Sequence, residues 1–131
     1  MIRLILTGRP ITKKNHQEIC INNRTGKRFP RQSEAYQAYE EACLWQLKSY
    51  RGEMITGPVH VKALYWMPDR RSWPDLIGLM QSTGDILQKA RIIANDKFIA
   101  SWDGSRIVGV DRENPRVEIT VKEAHLLNGE N

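Results

Sequence analysis

The strongest periodic signal in the chain runs over residues 76–90. Leu76, Leu79, Met80, Thr83, Ile86, Leu87 and Ala90 recur at i, i+3, i+4, i+7, i+10, i+11 and i+14, which is the wide apolar stripe of an amphipathic helix. Pro74 pre-sets a helix start, and Asp75 stands where a carboxylate caps free N–H groups and meets the positive end of the helix dipole. Gly78, Gln81 and Asp85 fall together on the opposite face by the same count. A second helix is predicted over 33–50 with Ser33 as N-cap. It carries Tyr36, Tyr39, Cys43, Leu47 and Tyr50 on one stripe, as core or dimer contact, with Ala35, Ala38, Ala42 and Trp45 beside it.

Period-two alternation appears over 58–66, where Val59, Val61, Ala63 and Tyr65 share a face of a half-buried strand. Residues 2–6 read as a first strand, and 18–21 with 27–29 as a hairpin around Asn23-Arg24-Thr25-Gly26. Short strands at 92–93 and 98–102 flank Asn95-Asp96. Two more, at 106–110 and 116–122, flank a turn over 111–115. Residues 52–57 read as a loop, and the chain from Gly129 onward as a frayed tail.

Strands and two helices in this order predict an α/β (α+β) architecture, a mixed β-sheet with two main helices packed on one face. The length of 131 residues predicts a single domain over 1–131. The apolar run near the N-terminus is far too short for a signal peptide, and no stretch could span a bilayer, so the expectation is a soluble intracellular protein. Cys20 and Cys43 make no C-x-x-C and, with His16, His60 and His125 scattered singly, no zinc spacing. Both are expected to be reduced thiols.

Charge changes the picture through its placement. The formal net charge is +5, yet residues 51–131 balance eleven Lys/Arg against eleven acids while residues 1–50 hold nine against four Glu. The whole surplus is N-terminal. Arg9, Lys13, Lys14, Arg24, Lys27, Arg28 and Arg31 lie on loop and hairpin, broken by Pro10, Gly26 and Pro30. All six aspartates, by contrast, lie between Asp69 and Asp111. A basic loop beside an acidic site suits phosphodiester chemistry, because cations hold the backbone while carboxylates hold a metal. Asp75, Asp85 and Asp96 could converge on one hard cation such as Mg²⁺, which takes one or two protein carboxylates and completes its octahedron with water and phosphate. The plainer readings are a cap for Asp75, a solvated face for Asp85 and a turn for Asn95-Asp96.

The stretch Met67-Pro-Asp-Arg-Arg, then Asp75-Leu, Asp85 ten residues on, and Asn95-Asp96 after a further ten resembles the signature region of the RusA family of Holliday junction resolvases. That family's pattern runs Pro-Asp-x-Asp-Asn-Leu-x-Lys, then a helix carrying an Asp, then an Asp-Asp turn opening a strand. The resemblance implies a Mg²⁺-dependent endodeoxyribonuclease (Mn²⁺ substituting) acting as a homodimer on four-way junctions or other branched DNA in recombination and repair. It also implies a cytoplasmic, nucleoid-associated setting of the kind phages and prophages use. Asp75 matches the first essential carboxylate and Asp96 the third; Asp85 and Asn95 match accompanying acidic positions. Lys13, Lys14, Arg24, Lys27, Arg28, Arg70 and Arg71 are the expected DNA contacts.

Three positions depart from the pattern. Ile77 replaces the second Asp, Gly78 the Asn and Gln81 the Lys. Ile offers no ligand, so either Asp85 or Asp103 supplies the missing oxygen, or the chain is a catalytically impaired binder of branched DNA. Restoring the pattern with Ile77→Asp and Gly78→Asn is expected to raise cleavage with little change in stability.

Overall fold

The computed structural model describes residues 1–13 and 17–127. Its main sheet has five strands: β1 (Ile2–Thr7), β4 (Val59–Met67), β5 (Ile99–Ser101), β6 (Arg106–Val110) and β7 (Arg116–Glu123). Strand β4 is central. It pairs antiparallel with β7 on one side and parallel with both β5 and β6 on the other, β5 along its first half and β6 along its second. β1 closes the far edge, antiparallel to β7. The sheet is therefore mixed, as the alternating strands and intervening helices predict.

The alternation of β4 is realised residue by residue. Val59, Val61, Ala63, Tyr65 and Met67 are buried, while the intervening positions are more exposed. Both helices lie on the buried side. Helix α1 (Glu34–Leu47) starts at Ser33, whose Oγ accepts the Tyr36 N–H at 3.2 Å. It buries Tyr36, Cys43 and Leu47 and ends three residues short of the expected Tyr50, which still packs on the core. Cys43 is a free thiol that burial pushes up to about 11. Helix α2 (Leu76–Lys89) contributes Leu79, Ile86 and Leu87 to the core, and Thr83 bonds the Tyr65 hydroxyl at 2.7 Å, tying α2 to β4.

The hairpin forms a separate two-stranded sheet of β2 (Gln17–Ile21) and β3 (Arg28–Gln32). The expected strand at 92–93 does not form. Ile92 and Ile93 are fully buried, and Ile93 makes a single parallel bridge to Ile55. Their apolarity comes from core burial directly after α2, a case in which a short apolar run does not distinguish strand from buried turn. The region before β5 also begins differently from expectation, as a 3-10 turn over Asp96–Phe98. Among the described residues no helix is long and apolar enough to cross a membrane.

Candidate active site

The site is built from two faces of α2. Asp75 is the N-cap by backbone conformation, but its side chain accepts no capping hydrogen bond. The carboxylate stays exposed and leans toward Gly78, where an added Cβ would lie 2.5 Å from Asp75 Oδ1 and 3.1 Å from Thr12 Cγ2. Gly78 is thus buried against the segment before Lys13, not on an outer polar face. The expected grouping of Gly78, Gln81 and Asp85 on that face is corrected accordingly. Along α2, Gly78, Ser82, Asp85 and Lys89 follow one stripe, and it turns toward residues 12–13 and α1.

Asp85 is occupied on that stripe. Its Oδ2 stands 3.0 Å from Lys13 Nζ and 3.2 Å from Lys89 Nζ, and Lys89 in turn holds Glu40 of α1 at 2.9 Å. The Lys13 backbone N–H donates to Ser82 Oγ at 3.2 Å, which fixes the approach of the basic segment. Burial pushes the Asp85 carboxyl up, but the two ammonium groups outweigh it and leave it below its ordinary value of 3.8. A depressed carboxylate contributes stability above its unfolded pKa and loses it as the pH falls through the folded value. Urea unfolding followed from neutral pH downward should therefore show Asp85→Asn less stable than the wild type near neutrality. The gap should close in acid; a gap independent of pH would mean that the pair contributes nothing through charge.

The neighbouring stripe of α2 forms the second face. Ile77, Gln81, Gly84 and Gln88 follow one another at helical spacing, and a cleft of about 280 Å³ is lined by Ile77, Met80, Gln81, Gly84, Asp96, Ile99 and Trp102. Gly84 permits the close approach of β5: a Cβ there would lie 3.3 Å from Ile99 Cδ1 and 3.5 Å from Trp102 Cζ2. The turn carrying Asp96 is held at both ends. Gln88 Oε1 accepts the Asp96 N–H at 2.9 Å, and Asn95 Oδ1 accepts the Lys97 N–H at 2.9 Å. Asp96 is exposed and makes no ion pair among the described residues. Sequence reasoning missed Gln88 and Trp102; the 77-81-84-88 spacing was the signal that would have found Gln88.

The four candidate carboxylates therefore occupy different surroundings. Asp96 opens on the α2–β5 cleft, Asp75 leans toward Gly78, Asp85 is paired with Lys13 and Lys89, and Asp103 lines another cleft beside His60, Lys62 and Lys122. Among the described residues no three His, Cys, Asp or Glu side chains come together as a group able to hold a metal ion. They do not fit a preassembled three-carboxylate centre, and Ile77, 64% exposed in the Asp96 cleft, stands where the resemblance puts the absent carboxylate.

The expected DNA contacts are likewise dispersed. Arg24 and Lys27 are exposed on the hairpin turn, whose Asn22 Oδ1 accepts the Arg24 N–H at 2.9 Å. Arg70 and Arg71 are exposed on a turn fixed by the Asp69 carboxylate, which accepts the Arg71 N–H at 2.8 Å. Lys14 and the Arg28 side chain lie outside the described residues, as does the Cys20 side chain.

The family model described as Endodeoxyribonuclease RusA matches residues 7–122. Over 101 residues the chain is 30% identical to the crossover junction endodeoxyribonuclease RusA of Aquifex aeolicus (strain VF5), covering 75% of this chain and 74% of that protein.

Proposed function

The chain belongs to the RusA endodeoxyribonuclease family, and from that membership we propose that it cuts branched DNA, four-way junctions above all, in a reaction that depends on Mg²⁺ with Mn²⁺ as substitute. The observation that carries this reading is the α2–β5 cleft. Asp96, which keeps a family carboxylate, and Ile77 and Gln81, which stand where the pattern has an Asp and a Lys, are spread over twenty residues of chain, and all three line it. In this reading Asp96 is the acid at the reacting phosphate, with Asp75 at the neighbouring helix start as the second. Asp85 and Asp103 act outside the cleft, Asp85 by holding Lys13. Lys13, Lys14, Arg24, Lys27, Arg28, Arg70 and Arg71 hold the phosphate backbone, a contribution that weakens steeply with salt.

A second reading is favoured by the same cleft. Ile77 and Gln81 offer neither the carboxylate nor the cation of the family pattern, which suits a protein that binds branched DNA without cutting it. A labelled synthetic junction and a linear duplex, each incubated with Mg²⁺ or with chelator, separate the two. Junction-selective cleavage that needs Mg²⁺ supports the nuclease, tight junction binding without cleavage supports the binder, and indifference to the junction sinks both.

We further propose a homodimer. A four-way junction has near two-fold symmetry and its resolution needs two symmetric nicks, which a C2 pair of sites supplies. Trp45 at 71% exposure and Ile77 at 64% are large apolar groups left open on a single chain. Sedimentation at micromolar concentration should give a dimer mass; a monomer that does not shift on adding junction would remove the paired-site mechanism.

A further inference from the structure

The face of the sheet turned away from the helices carries a cleft that the site above does not use. It encloses about 470 Å³ and is lined by His60, Lys62, Ser101, Asp103, Thr120 and Lys122, with the Val61 backbone at its floor. We propose that this outer cleft binds the phosphodiester backbone of a DNA arm continuing past the candidate active site. The inference rests on the reading of the chain as a protein of branched DNA.

Strand register gathers the charge. His60 lies opposite Lys122, Lys62 opposite Thr120, and Thr120 opposite Arg3 on the next strand. Two adjacent cross-strand rows thus present Arg3, Lys62, Lys122 and His60 on one face. Lys62 and Lys122 are diagonal neighbours, about 7–8 Å apart, which lets them reach different phosphates of one backbone. None of Arg3, Lys62 and Lys122 enters an ion pair among the described residues, so their charge is available to a ligand. Asp103, exposed at the lip, is the one acid lining the cleft.

The rim is shaped rather than merely solvated. A register shift between Val59 and His60 sets Val59 against Ile99 and His60 against Ser101. That irregularity turns Ile99 to the Asp96 cleft and Ser101 to the outer one, as bulges re-aim side chains beside functional sites. His60 Nδ1 and Ser101 Oγ stand 2.6 Å apart, leaving Nε2 as the ring nitrogen for a ligand. Ser105 Oγ accepts the Ala63 N–H at 2.9 Å and pins the following loop. At its apex Gly104, with φ +83°, meets the Lys62 stem where a Cβ would lie 3.0 Å from Lys62 Cδ. A side chain there would strain the backbone and displace the lysine. The two clefts share one wall, since Ile99 and Trp102 line the first while Ser101 and Asp103 line the second. In this proposal a DNA strand leaving the Asp96 cleft passes round the β5 edge of the sheet to reach the outer cleft on its other face.

The test compares metal-free binding of a labelled four-way junction by wild type, by Lys62→Ala with Lys122→Ala, and by a control pair, Arg51→Ala with Arg91→Ala, which removes equal charge in the loops that follow α1 and α2. All four side chains are exposed, so thermal melts should coincide. Loss of two phosphate contacts should lower junction affinity by about tenfold or more and reduce the slope of log K against log salt by roughly two, with a much smaller change in the control pair. Asp103→Asn should tighten binding. Equal losses in both pairs, or an unchanged slope in the Lys62 and Lys122 variant while wild type binds well, overturn the outer contact and leave the nuclease reading standing. A wild type that binds no junction overturns both.

Discussion

Asp96→Asn should lower junction cleavage by at least on the order of 10²-fold, the scale on which loss of a charged group acting on the reacting atoms is felt, while junction affinity changes by no more than a few-fold. The geometry makes the substitution clean. The Asp96 carboxylate is in no ion pair among the described residues, and the turn is held through its backbone N–H by Gln88 and through Asn95. Asn keeps the size and removes only the charge, so the melting temperature should not move. Asp85→Asn and Asp103→Asn provide the contrast. Asp85 is engaged with Lys13 and Lys89, and Asp103 sits on the outer cleft, so both variants should lose far less activity than Asp96→Asn. If Asp85→Asn abolishes cutting while Asp96→Asn spares it, the chemistry belongs beside Lys13 and the α2–β5 cleft is not the active site.

The sequence carried most of the fold because its strong patterns have one physical solution each. The alternation of Val59 to Tyr65 requires a strand with one buried face, and the 76–90 stripe requires a helix on that face. Ser33 is legible as a cap because a hydroxyl in that place satisfies an otherwise unpaired helix N–H. The absence of a strand at 92–93 was not legible, since Ile92 and Ile93 are apolar for burial after α2 and not for strand pairing. The site was less legible than the fold for a related reason. Counting positions places Gly78, Gln81 and Asp85 on one side of α2, but it does not show that residues 12–13 cover part of that side. Tertiary packing buries Gly78 against Thr12 and gives Asp85 to Lys13, leaving the 77-81-84-88 stripe to face Asp96. Likewise nothing in the alternation of β4 marks the register shift at Val59 and His60 that separates the two clefts.

That packing also splits the repair of the signature into two unequal halves. Gly78→Asn should be destabilising by roughly 1–3 kcal/mol, the usual cost of overpacking, because the new side chain must displace Asp75 and the fully buried Thr12. The expectation that both changes together leave stability almost untouched is therefore replaced by one for Ile77→Asp alone. Ile77 is exposed in the second position of α2, whose first turn holds no acidic residue. A carboxylate there removes apolar surface from water and meets the positive helix end, so stability should hold or rise by about 0.3–1 kcal/mol. It also places a second carboxylate in the cleft with Asp96. A charge-assisted contact contributes roughly 1.5–3 kcal/mol, which corresponds to about 10–100-fold at 1.4 kcal/mol per decade. Calorimetric Mg²⁺ affinity and junction cleavage should both rise by amounts in that range. Were Mg²⁺ to bind more tightly while cutting slowed, the wild-type cleft would already be complete for catalysis and the added charge would be repelling the scissile phosphate. Were neither quantity to change, Ile77 would lie outside the reacting centre and the binding reading would become the better account of the chain.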